Sequence, residues 1–491
     1  MLQLLKKSDI RMLKPFNQYN RYAHMANWAS RYWEGHNLLS ALKYCLAALL
    51  IVVPLYPKFP IFNVPGTYVA IRAEDFLISL IALLWLPIML RRGVKAFLKD
   101  KFNQAILIFF AAGLLSSLSS ILLTRTAPPH IVFLHWARRI EYIIPFFAAL
   151  EVVRSINKAR FLTSGLFFAT FFVFAFGWGQ VYANFPVIST QNEEYSKGLA
   201  LRWVPGARLH STFAGHYDLA AFLVILLPIS AALFWHYKKL KNKIIFLLFS
   251  VLPSFWLMLR AESRVSFASF IFGVCVSLWL VKKKVFIIPF IVFCVLSAVL
   301  FTNLGVRYRN SLQTYWQRIT NSQKINFHLV TPVHAQERLE VPERTRSKQT
   351  EDKPQQFPSI FEDRSTAIRL NVEWPRALRA FFKNPLLGTG YSSITLATDN
   401  DYLRALGETG LVGTLALLLV ILRILQKLIT YIKNSSSSWS HVYVCGFTGG
   451  MAGLLLNATF IDVFEASKVA IIFWALAGIA VGLIERKNNE A

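Results

Sequence analysis

The sequence predicts an all-α integral membrane protein, and three observations carry that prediction. Apolar runs of roughly 18 to 22 residues recur along the chain, matching the ~20 needed for a helix to cross a bilayer. Hydrophobic residues make up 55% of the 491, and the mean hydropathy is +0.44, well away from a soluble composition. Lys and Arg gather in every second loop between the runs, as the positive-inside rule requires of a multi-pass protein.

The runs number about twelve, centred near residues 48, 82, 113, 141, 171, 224, 252, 273, 294, 417, 451 and 476. An even count places both termini on one side. The basic loops follow spans two, four, six, eight and ten, with Lys6 to Arg31 before the first span and Arg486 and Lys487 at the end. These are read as cytoplasmic. Residues 1–38 are then a cytoplasmic N-terminal segment, 39–301 hold helices one to nine, 302–406 form a large external loop, 407–485 hold helices ten to twelve, and 486–491 are a cytoplasmic tail. The first apolar run has no small-residue cleavage pattern after it and reads as a retained helix.

The formal charge of +27 would suit nucleic acid, but its placement in short loops reports topology, so no nucleic-acid partner is expected. Cys45, Cys275, Cys294 and Cys445 all lie in apolar runs without metal-ligand spacing or a disulfide framework, and read as packing residues. Neither a metal nor a cofactor is expected.

The external loop divides in two. Gln323 to Asp363 is rich in Pro, Glu, Lys, Arg, Ser and Gln without a helical or strand period, which reads as a mobile insertion. Arg364 to Lys383 reads as an amphipathic helix, with Leu370, Trp374, Ala377, Leu378, Phe381 and Phe382 on one side. Arg369, Arg376, Arg379 and Lys383 form the other side, and Pro375 kinks the helix or starts a second one.

Ionisable residues crowd the outward helix ends: Arg72, Glu74 and Asp75; Arg138, Arg139 and Glu141; Arg202, Arg208, His210, His216 and Asp218; Arg260, Glu262 and Arg264; Asp399, Asp401 and Arg404. Such groups cost ~2.5 to 3.5 kcal/mol at a helix centre, so those that persist face a cavity or a partner. Arg138 and Glu141 stand one turn apart and can satisfy each other, whereas Arg139 has no local partner. Arg72 and Arg404 read as interfacial anchors. Arg208 and Arg264, with Arg138 and Arg139, suit a lipid-linked diphosphate, because a guanidinium grips phosphate in a planar fork and stays charged. Fixed arginines would stabilise a diphosphate leaving group without a metal. An acceptor hydroxyl needs a base, for which Asp399, Asp401 and His210 are the candidates.

These residues resemble the O-antigen ligase and polymerase superfamily of bacterial envelope glycosyltransferases. The resemblance rests on the stretch Arg208 to Ala220, on Ser263-Arg264, on Asn384-Pro385 with Gly388-x-Gly390, on Asp399-Asn400-Asp401-Tyr402-Leu403, and on Glu408-x-Gly410-Leu411-x-Gly413. It implies a fold similar to the GT-C glycosyltransferases and transfer of a glycan from an undecaprenyl-diphosphate carrier to a glycan or lipid acceptor. The reaction would take place on the outer face of the bacterial cytoplasmic membrane. Arg208 and Arg264 would contact the diphosphate. Ligases of the family typically carry a histidine where this chain has Asp399. A carboxylate accepts a proton as well, and the same departure fits a polymerase or a ligase with a different acceptor.

Two other classes compete. A transporter or flippase of lipid-linked glycans would also need many spans and internal arginines, but the chain shows no inverted repeat halves and its charges crowd one face. A membrane scaffold would use 302–406 as a docking surface. The sequence does not specify an oligomeric state.

Overall fold

The computed structural model describes residues 37–57, 59–64, 70–188, 201–305, 308–309, 368–394, 398–434 and 438–490. The insertion expected at Gln323 to Asp363 lies outside the described residues.

Within them the protein is an all-α integral membrane protein. In chain order the helices are α1 (Asn37–Leu55), α2 (Ala73–Arg92), the short α3 (Val94–Lys99), α4 (Lys101–Thr124), α5 (Pro129–Ile156), α6 (Ala159–Tyr182), α7 (His216–His236) and α8 (Leu240–Ala261). They continue as α9 (Arg264–Leu280), α10 (Lys284–Phe301), α11 (Trp374–Lys383), α12 (Asp401–Asn434), α13 (Trp439–Asn457) and α14 (Ser467–Glu490). Two antiparallel ladders of two-residue strands, Phe62–Asn63 with Ala70–Ile71 and Pro186–Val187 with Leu201–Arg202, close loops at one end.

Every expected span centre falls in a helix, although length and hydropathy alone mark fewer than twelve of these helices as spans. Among the described residues, nine helices are long and apolar enough to cross a membrane: α1, α2, α4, α6, α7, α8, α10, α12 and α14. Of the other three, α5 carries Arg138, Arg139, Glu141, Glu151 and Arg154, α9 has 17 residues, and α13 is diluted by Gly446, Gly449, Gly450 and Gly453.

Burial orders the bundle. The apolar window of α14 is 100% buried and that of α7 is 78% buried, so these helices form the centre, apolar all round. The window of α10 is 17% buried and marks the periphery. Helix α14 packs along α5, and α7 packs against α9 and α13. Lipid offers little hydrophobic drive between helices, so tight backbone approach has to supply the attraction. Gly449 of α13 and Gly273 of α9 meet this need: a Cβ on Gly449 would collide with the Gly273 carbonyl.

Local chemistry sets the helix ends. Asp100 caps α4, accepting from the N–H groups of Phe102 and Asn103 at 2.8 and 3.1 Å. Asn157, left-handed at φ 50°, closes α5, and Glu262, at φ 49°, closes α8 just before α9 begins at Arg264. Pro253 and Pro375 each follow a π-helical turn, Leu247–Val251 and Arg369–Glu373. Proline lacks the donor that a regular turn would use, and the wider turn absorbs the mismatch. The expected Arg364 to Lys383 helix thus becomes a π turn leading into α11, with residues 364–367 outside the description.

Candidate functional site

The chain runs in opposite directions along successive long helices, which brings the starts of α5, α7, α9, α12 and α14 to one end of the bundle. The ionisable clusters collect there in two linked groups.

The first group lies around the entrance to α7. The Arg208 guanidinium meets the His216 imidazole at 2.9 Å (Nη1 to Nε2). The His216 and Tyr217 rings lie 4.0 Å apart, and Tyr217 stands beside Arg369. Nε and Nη2 of Arg369 both donate to Oδ2 of Asp399, at 3.0 and 2.7 Å. The second carboxylate oxygen of Asp399 has no partner among the described residues. Arg264 is brought alongside by backbone: the Leu209 N–H donates to the Arg260 carbonyl at 3.0 Å, and α9 begins four residues later at Arg264. The Tyr308 hydroxyl donates to the Arg264 carbonyl.

Burial at this corner favours the neutral form of each titratable group. Burial pushes the Asp399 carboxyl up, Arg369 pulls it back, and the balance stays above the ordinary aspartate value of 3.8. Glu373 is pushed up to about 7, chiefly by burial and then by the neighbouring Asp399 charge. Burial lowers His210, whose Nε2 is enclosed without a hydrogen-bond partner among the described residues.

The second group is a buried ion-pair network. Arg139 pairs with Glu465, donates to the Phe464 carbonyl at 3.3 Å and lies 5.3 Å from the centre of the Tyr391 ring. Arg404 reaches Asp462 at 2.9 Å, Glu408 at 3.3 Å and Glu465 at 3.7 Å. Arg139, Arg404, Glu408 and Glu465 line a cavity of about 80 Å³ with Tyr142 and Tyr391. Arg138 stands apart, 3.2 Å from Asp75 and 3.8 Å from Glu141.

The loop between the groups is held by carboxylates. Asp462 accepts from the N–H groups of Thr398 and Asn400, each at 2.9 Å, as well as from Arg404. Asn400 caps α12 through the N–H groups of Tyr402 and Leu403, at 3.0 and 2.9 Å. Asp401 accepts from the N–H groups of Val463 and Phe464, at 2.8 and 3.2 Å, and is 8% exposed. Of the three residues Asp399-Asn400-Asp401, the second and third thus hold the backbone, while Asp399 keeps an oxygen unpartnered among the described residues.

The glycine pattern has an architectural cause as well. Helix α12 breaks at Gly410 (φ 63°, ψ −167°), which frees backbone groups on either side. Residues 384–390 lie against the break and satisfy them: the N–H groups of Thr389 and Gly390 donate to the carbonyls of Gly407 and Glu408, and those of Leu411 and Val412 donate to Pro385 and Leu386. A Cβ on Gly388 would strike the Glu408 carbonyl, and one on Gly410 the Leu386 carbonyl. Both also sit at positive φ, so glycine is needed twice over.

Three sequence expectations are revised. Arg369, placed on the solvent stripe of the amphipathic helix, is 6% exposed and grips Asp399. Arg404 is a hub buried among three carboxylates instead of an interfacial anchor. Arg139 finds its partner across 326 residues, in a loop where the sequence had singled out nothing. Glu373, Asp462 and Glu465 escaped sequence reasoning; the one available signal was their acidity in a chain with twice as many basic as acidic residues, 53 against 26. Among the described residues no group of three or more His, Cys, Asp or Glu is arranged to hold a metal ion, and the four cysteines are free.

Residues 248–418 match the family model described as O-antigen ligase. The match runs from α8 into α12, taking in Arg264, Arg369, Asp399 and Glu408 while leaving Arg208 and α7 outside it. No curated protein matches the chain.

Proposed function

We propose, on the premise that this is a membrane protein of the O-antigen ligase/polymerase superfamily, that it transfers a glycan from an undecaprenyl-diphosphate carrier to a glycan or lipid acceptor. Arg208 and Arg264 hold the diphosphate, and Asp399 accepts the proton of the attacking hydroxyl. The new glycosidic bond forms at the anomeric carbon as its bond to the diphosphate oxygen breaks, and the arginines stabilise the charge that leaves. No metal is needed for that step, since the guanidinium charge is permanent. The fold class is that of the GT-C enzymes, with the reaction on the outer face of the cytoplasmic membrane and both termini inside.

The observation that carries this reading is the join between charge and grease at Arg260. Its carbonyl ties the Arg208 segment to the Arg264 turn, and its side chain tops an apolar groove of about 750 Å³ between α6, α8 and α10. Phe174, Trp178, Trp256, Phe293 and Phe301 line that groove. A diphosphate on a long hydrocarbon tail needs this combination of cations at the membrane boundary and apolar wall below them.

Arg138 and Arg139 are assigned a supporting part, since their charges are already taken by Asp75, Glu141 and Glu465. Asp401 is likewise committed to backbone, which leaves His210 as the alternative base. The deciding experiment incubates purified protein with a lipid-diphosphate oligosaccharide and acceptor, and reads the product by mass. Growth by whole repeat units identifies a polymerase; appearance of the glycan on a separate acceptor identifies a ligase. Counterflow of labelled donor with no covalent product would instead make it a transporter.

A further inference from the structure

At the opposite end of the bundle a second cleft opens between α6, the end of α7, the start of α8 and α13. Its volume is about 790 Å³. Its walls are phenylalanine: Phe167 and Phe246 meet edge to face at 5.3 Å, and Phe171 and Phe249 lie 5.1 Å apart. Phe168 and Phe249 are more than half exposed, at 58% and 54%, on helices long and apolar enough to cross a membrane. The rim has the opposite character. Arg160, Lys238 and Lys239 line it, and no carboxylate does among the described residues. Arg160 also lies 5.5 Å from the ring centre of Trp439, another lining residue.

The two other clefts at this end contain carboxylates: Asp100 and Glu485 line one, and Asp100, Glu151 and Glu485 line the other. Arg154 pairs with Glu151 and Glu485, and Lys427 with Asp100 and Glu485. The cleft between α6 and α8 therefore stands out as cationic rim over aromatic wall, with hydroxyls of Thr163, Ser164 and Tyr237 among its lining. A soluble anion would use the rim and leave the wall exposed; a neutral lipid would use the wall and leave the charges unmatched. Only a molecule with an anionic head and hydrocarbon tails satisfies both.

We propose that this cleft binds one anionic phospholipid of the cytoplasmic leaflet, its phosphate held by Arg160, Lys238 and Lys239 and its acyl chains laid on the phenylalanine wall. The placement in that leaflet rests on the orientation in the proposed function; the binding chemistry does not. The site is separate from the Arg208–Asp399 corner, because α6 and α8 each run the length of the bundle between the two ends.

The test titrates the purified full-length protein in neutral detergent with phosphatidylglycerol or phosphatidylethanolamine and counts bound lipids by native mass spectrometry. The wild type should bind one phosphatidylglycerol at least tenfold more tightly than phosphatidylethanolamine. The triple variant Arg160→Gln, Lys238→Gln, Lys239→Gln should lose that preference, whereas Arg160→Lys with Lys238→Arg and Lys239→Arg should keep it. Phe168→Ala with Phe249→Ala should weaken binding of both lipids alike. Equal binding of the two lipids by the wild type, or an undiminished preference in the glutamine variant, would overturn the proposal. Each outcome is read without any glycan transfer, so it is independent of whether the catalytic reading stands.

Discussion

Asp399 shows at the level of one residue how burial and partner compete. Arg369 fixes one carboxylate oxygen, the other has no partner among the described residues, and burial keeps the group above 3.8. A base works only when deprotonated, so transfer should hold steady at higher pH and fall as pH drops through a value above the ordinary aspartate range. Asp399→Asn should lower the turnover by about 10² to 10⁴ with donor binding little changed, and abolish that acid limb of the profile. A normal rate in that variant would move the role to His210. Glu465 makes a structural counterpart: burial raises it, but Arg139 and Arg404 outweigh burial and hold it down at about 2. Removing it takes from the buried Arg139 the carboxylate it pairs with, while Arg404 keeps Asp462 and Glu408. Glu465→Ala should cost about 3 to 5 kcal/mol, read as a lower thermal midpoint in detergent, whereas loss of an exposed pair would cost about 1 kcal/mol or less. The arginines and Asp399 were visible in the sequence as polar residues at helix ends. Their partners were not, because Arg139 with Glu465 and Arg369 with Asp399 are neighbours only after folding.

The broken helix α12 carries the argument at the level of the element. Gly388-x-Gly390 and Glu408-x-Gly410 were legible as a pattern that carried part of the family resemblance. Backbone hydrogen bonding accounts for them directly: residues 384–390 fill the gap that Gly410 opens, and no side chain fits at either glycine contact. Gly410→Ala should therefore destabilise the helix by at least the ~1 to 3 kcal/mol of a strained backbone, and also disturb Glu408, whose carbonyl accepts from Gly390 and Ser116. Limited proteolysis of membranes should find 384–412 cut faster in that variant than in wild type. Helix α11 teaches a different lesson. Its amphipathic period was plain, but the wheel put Arg369 with the solvent-facing arginines; the π turn before Pro375 shifts the register and turns that residue inward.

The whole molecule was the most legible scale, since apolar runs of bilayer length locate helices with little dependence on tertiary contacts. All twelve centres fall in helices; of the three too short or too polar to count as spans, α9 is short at 17 residues, α5 keeps its charges because they are paired inside the bundle, and α13 keeps its glycines because α7 and α9 pack on them. The same alternation of helices separates two chemistries. One end gathers Arg208, Arg264 and Asp399; the other presents the basic rim between α6 and α8. The central claim is that the first end grips a lipid-linked diphosphate during transfer. It is tested most directly by following glycan transfer from a lipid-diphosphate oligosaccharide in membranes carrying wild type, Arg208→Ala or Arg264→Ala at equal levels of inserted protein. Each substitution should reduce transfer by about 10² or more; wild-type transfer by both variants would contradict the account.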